Sequence, residues 1–149
     1  MELTEREEPT WVPILVVLAT QHTQLHEHGG MPGVRDRNAL ESALARPQNR
    51  LAYDSSADLG DLAACYAFGI ATSHPFNDGN KRTAYVTAAI FLDLNGWELT
   101  HTDDEIVHTI LALANHEIDE SGLADWFRRA MVPRGGSGAS EPAMEGRPA

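Results

Sequence analysis

The chain has 149 residues, 42% of them apolar and 22% charged, a length and composition that point to one soluble globular domain. Its net charge of −11 excludes general affinity for nucleic acid or anionic membranes, both of which need a basic surface. The single cysteine, Cys65, excludes an intrachain disulfide and a cysteine-based zinc site, and it fits a reducing cytoplasm.

The N-terminus MELTEREEP is acidic where a signal peptide would be basic, and the apolar run at 14–19 is far too short to span a bilayer. A cytoplasmic protein with no membrane contact is expected. Residues 1–10 are expected to form a flexible N-terminal segment. Thr10 is positioned to cap a helix from Trp11 to about His28, with Pro13 in its first turn, stopped by Gly29-Gly30. GGMPGVRD (29–36) reads as a loop, and Asp36 as the cap of a short helix that Pro47 terminates. Residues 48–57, with Tyr53, read as a second loop.

From Asp58 onward Leu59, Leu62, Ala63, Tyr66, Ala67, Ile70 and Ala71 recur with a period near 3.6. The next step of that stripe is His74, just before Pro75. A further helix is expected from Asn80 to Asn95-Gly96, apolar on nearly every side and therefore central. TrpGluLeu (97–99) reads as a short extended piece. Thr102 and Glu105 form a capping box opening a helix to about His116, with Asp103 to Glu105 complementing its dipole. Ser121 is assigned as the cap of a last helix. The expectation is an all-α domain over 11–131, followed by a disordered tail at 132–149 that lacks core-forming residues.

Chemistry concentrates in HPFNDGNKR, residues 74–82, which holds Lys81, the chain's only lysine. A helix N-terminus at Asn80 offers free amides and a positive dipole end, a site for phosphate. Gly79 permits a sharp turn and close approach by a ligand. Lys81 and Arg82 disfavour helix formation in the first turn, so their placement implies a strongly anionic ligand. Asp78 would repel that ligand unless a divalent cation lay between them, as magnesium does when held by a carboxylate and substrate phosphates. His74 could take a proton from an attacking hydroxyl near neutral pH. Against this stands the plainer reading of a core histidine followed by an Asn-Asp-Gly turn.

The same nine residues resemble the Fic/Doc (Fido) superfamily signature, His-x-Phe-x-Asp/Glu-Gly/Ala-Asn-Lys/Gly-Arg, at every defined position. Lys81, Thr83 and Ala84, together with GGMPGVRD and LESALARP, resemble the Doc (death-on-curing) toxin branch over about residues 11–130. The resemblance implies a helical Fido domain and ATP/Mg2+-dependent phosphorylation of a threonine of elongation factor Tu, arresting translation. It implies His74 as general base and Asp78 as magnesium ligand, with Asn77, Gly79, Asn80, Lys81 and Arg82 binding the nucleotide. Fic adenylyltransferases carry glycine at the position of Lys81 and a second arginine at that of Tyr85. Both differences favour phosphate over AMP transfer.

AMP transfer is the first alternative, and a catalytically inactive antitoxin-binding regulator the second. No Ser/Thr-x-x-x-Glu-Gly/Asn inhibitory motif is found: Ser137/Glu141 and Thr4/Glu8 are each followed by proline. Inhibition in trans by a Phd-like antitoxin is the consistent expectation. His22 and His26 share a helix face but lack a suitable third ligand, and read as a solvated helix end. His101, His108 and His116 read as surface or packing residues. Trp11, Trp97 and Trp126 read as core. Arg35 and Asp36 are candidates to border the pocket, Asp36 otherwise serving only as a cap.

Overall fold

The computed structural model describes residues 8–135. It contains α1 (Ile14–His28), α2 (Arg37–Tyr53), α3 (Leu59–Ser73), α4 (Asn80–Leu94), β1 (Trp97–Leu99), α5 (Asp103–Ala114), α6 (Glu120–Ala130) and β2 (Met131–Pro133). The all-α expectation holds, apart from one small antiparallel ribbon in which Trp97 faces Pro133 and Leu99 faces Met131. Residues 1–7 and 136–149, where most of the expected flexible segments fall, lie outside the described residues. β2 continues the fold past residue 131, and the Arg134 amide donates to Gly96 O (2.9 Å).

α3 is the most enclosed helix, with buried residues on every side from Leu62 to Ala67. It packs against α4, α2 and α6, while α1, α5 and β1 cover the rest of α4. Tyr66, Phe76, Phe91 and Phe127 are the largest fully buried side chains. The Tyr66 hydroxyl accepts from the Val12 amide (3.0 Å), so its polar atom stays bonded inside the core. Trp11 stacks on Phe91 at 5.8 Å between ring centroids.

Three boundaries differ from expectation. α1 begins at Ile14, because Thr10 is drawn away to Asn95: its amide donates to Asn95 Oδ1 (2.8 Å), and Asn95 Nδ2 donates to Thr10 O (3.0 Å). α2 does not stop at Pro47 but continues to Tyr53, replacing the loop expected from residue 48. An interior proline costs about 3 kcal/mol. Burial of Leu40, Ala43, Leu44 and Pro47 itself offsets that, each large apolar side chain contributing about 1.5–3 kcal/mol. Finally, α6 is capped by Asp119 rather than Ser121, Asp119 Oδ1 accepting from the Gly122 amide (2.8 Å).

Candidate active site

His74 is the C-cap of α3, with φ 50° and ψ 59°. Among the described residues only His74 and His116 adopt positive φ without being glycine. Left-handed backbone at a non-glycine residue carries strain and persists where its surroundings hold it. Here Arg35 does so: Nε donates to His74 O (2.7 Å) and an η nitrogen to Ser73 O (3.0 Å), closing the end of α3. The His74 side chain is exposed.

Pro75 and Phe76 are buried and anchor the following loop, with Phe76 at 1% exposure. Asn80 closes the loop from the other end. Its Oδ1 accepts from the Phe76 amide and its Nδ2 donates to Phe76 O, both at 2.9 Å. Since Asn80 is itself buried, its carboxamide holds the loop rather than pointing at a ligand. Asn77 is exposed, and its Nδ2 donates to Pro32 O (3.0 Å).

Gly79 turns the chain into α4 with φ 78°, and a Cβ there would lie 3.3 Å from Leu25 Cδ2. The Gly79 cap supplies no side-chain bond to the first amides of α4. By contrast, α2, α3, α5 and α6 all start under an aspartate or threonine cap. The first turn of α4 therefore presents free N–H groups beside two cations. Lys81 and Arg82 are half-buried, and no ion pair among the described residues involves either.

Asp78 is exposed on the same loop, with Oδ2 accepting from the Met31 amide (2.6 Å). No described residue bonds its other oxygen. A single carboxylate beside a helix end with free N–H groups is a donor set that suits magnesium, which takes one or two carboxylates from protein and its remaining ligands from phosphate and water. The residues present fit that ion.

The other candidates lie apart. His22 and His26 stay on an exposed face of α1. Asp36 caps α2 through the Ala39 amide (3.0 Å). The buried Cys65 thiol donates to Glu120 Oε2 (3.0 Å) and is pushed up to about 12 by burial and by that carboxylate, so it is no nucleophile. Sequence reasoning missed the contacts of Met31 and Gln21 with Asp78. It also missed the pair Tyr85–His101, whose hydroxyl and Nδ1 lie 3.1 Å apart. The Gly-Gly-Met-Pro-Gly run was the one available signal for the first of these.

The profile described as the Fic/DOC family matches residues 11–92. "Protein kinase doc" of Escherichia phage P1 is 35% identical over 113 residues, covering 76% of this chain and 89% of that protein. "Toxin Doc" of Mycolicibacterium smegmatis is 43% identical over 72 residues, 48% of this chain and 55% of that protein. The matched region contains the turn at His74, the loop through Asp78 and the uncapped start of α4, and the chain belongs to the Fic/DOC family.

Proposed function

We propose that this protein is a Doc-type toxin: an ATP- and Mg2+-dependent phosphotransferase that phosphorylates a threonine of elongation factor Tu and is held in check by a Phd-like antitoxin. The observation that carries the reading is the pairing of an exposed histidine at the strained end of α3 with an uncapped, cationic start of α4, joined by the loop bearing Asp78. In this reading the amides of the first turn of α4, with Lys81 and Arg82, orient the nucleotide phosphates. His74 takes the proton from the attacking hydroxyl as its oxygen bonds to the γ-phosphorus of ATP and the bond from that phosphorus to the β,γ-bridging oxygen breaks, ADP leaving. Asp78 would hold magnesium, which would supply charge neutralisation for the phosphates. Positioning and electrostatics then account for most of the rate, as in other phosphoryl transfers. Asn80 and Gly79 contribute by shaping the loop.

Lys81 in place of glycine, and Tyr85 in place of a second arginine, favour phosphate over AMP transfer. The name of the phage P1 relative, a kinase, supports the same choice. For the antitoxin, α5 leaves Val107 and Leu111 40% and 55% exposed, and Val107 lines a cavity of about 390 Å3 that reaches Arg82 and Tyr85. An amphipathic segment laid there would cover apolar surface and lie over a nucleotide-binding cation.

The test is purified protein with labelled ATP, magnesium and elongation factor Tu, read by intact mass. A gain of about 80 Da marks phosphate and about 329 Da marks AMP. His74→Ala should keep its helical spectrum and lose on the order of 10²–10⁴ in rate. Undiminished transfer by that folded variant would remove His74 from the mechanism, and an AMP adduct would replace the kinase reading.

A further inference from the structure

Residues 29–36, between α1 and α2, lie antiparallel against the motif loop and are fastened to it along their length. Val34 bridges Phe76. The Asn77 amide donates to Gly33 O (3.1 Å), and the amides of Arg35 and Asp36 donate to Pro75 O (2.8 and 3.0 Å). The bond from the Met31 amide to Asp78 Oδ2, at 2.6 Å, ends this ladder.

Asp78 is gripped from α1 as well. Gln21, buried at 5% exposure, donates Nε2 to Asp78 O (3.2 Å). Gly30 allows the strap to come this close. Its φ is +128°, and a Cβ there would lie 2.9 Å from Leu25 Cδ2 and 3.0 Å from Asp78 Cβ. Only a residue without a side chain lets α1, the strap and Asp78 converge at that point.

We infer that the strap is a positioning element for Asp78: the Met31 amide fixes Oδ2 and leaves Oδ1 turned out as the single oxygen for a divalent cation. The inference rests on the reading of Asp78 as the metal ligand. An exposed aspartate on a loop ordinarily samples several rotamers. A short N–H bond to its charged oxygen selects one of them before the cation arrives, as outer-shell partners of metal-binding carboxylates do. The opposite arrangement, in which the amide competes with the cation for the carboxylate, predicts the opposite sign, so measurement separates the two.

The experiment titrates the full chain with Mn2+ in the presence of saturating ATP, reading protein-bound Mn2+ by the enhancement of water proton relaxation, which separates it from the free Mn2+–ATP complex. Met31→Pro removes the amide hydrogen, whereas Met31→Ala removes only an exposed side chain and keeps it. Met31→Ala should bind Mn2+ as the wild type does, and Met31→Pro on the order of 10-fold more weakly, with an unchanged helical spectrum. Gly30→Ala, which forces the strap away from Asp78, should weaken binding in the same way and decides the matter if Met31→Pro folds poorly. Equal or tighter binding by these variants overturns the positioning role. Asp78→Asn separates that failure from failure of the metal reading: if it binds Mn2+ as well as wild type, Asp78 is not the ligand at all.

Discussion

Lys81 occupies a position where two small stability effects oppose one another. As a cation in the first turn of α4 it works against the helix dipole, by about 0.3–1 kcal/mol. As a half-buried residue sharing an apolar notch with Thr109, Ile110, Leu113 and Trp126, it also contributes some packing through its methylene stem. Lys81→Ala should therefore change the urea midpoint by no more than about 1 kcal/mol in equivalent free energy. Activity should respond on another scale. Loss of a preorganised donor to developing phosphate charge costs on the order of 10²–10³ in rate. Lys81→Arg should rescue poorly, because a planar fork does not replace a compact ammonium between α4 and α5. A Lys81→Ala variant with wild-type ATP affinity and transfer rate would reduce this lysine to a packing residue.

At the level of elements, the loop between α3 and α4 is held as a unit by Asn80. Its carboxamide satisfies both backbone groups of the buried Phe76, so Asn80→Ala strands a buried donor and a buried acceptor at about 1–3 kcal/mol each. A loss of roughly 2–6 kcal/mol in denaturant unfolding is expected from these two terms, with Asn80→Asp intermediate since it keeps only the acceptor. Stability unchanged in Asn80→Ala would mean the loop is held elsewhere. This division of labour shows what local sequence does and does not carry. The caps at Asp36 and Thr102 and the stripe leading to His74 were legible because each is fixed by neighbours within one or two turns. Pro47 misled because its local cost is visible in sequence while the burial that outweighs it depends on α3. The motif was legible as a family signature, but the grip on Asp78 was not. Met31 and Gln21 stand 47 and 57 positions away from it, and only the folded chain brings them there.

Across the whole molecule, one imidazole joins three elements that share little sequence proximity. His101, at the β1–α5 junction, stacks on Trp126 of α6 with ring centroids 3.5 Å apart, and its Nε2 lies 3.2 Å from Trp126 O. A carbonyl only accepts, so Nε2 carries the hydrogen, and Nδ1 is left to accept from the Tyr85 hydroxyl of α4. Tyr85 stays protonated throughout the neutral range, pushed up to about 12 by burial and by Asp103 and Glu105. Burial holds His101 below its ordinary 6.5 and Arg129 adds to this, against the opposing pull of the Trp126 carbonyl and Glu105. The folded protein thus favours the neutral ring, while the unfolded chain takes up a proton near 6.5. Stability contributed by this group is fully present above 6.5, declines as pH falls through 6.5 toward the lower folded value, and is flat below that. His101→Phe keeps an aromatic ring on Trp126 and removes the titration. It should start less stable at pH 7.5, with Tyr85 and Trp126 O losing their partner, yet lose less stability than wild type on going to pH 5.5. Parallel loss in the two proteins, measured as urea midpoints across that interval, would mean the pH response resides in other groups. The tie between α4 and α6 would then be one of packing alone.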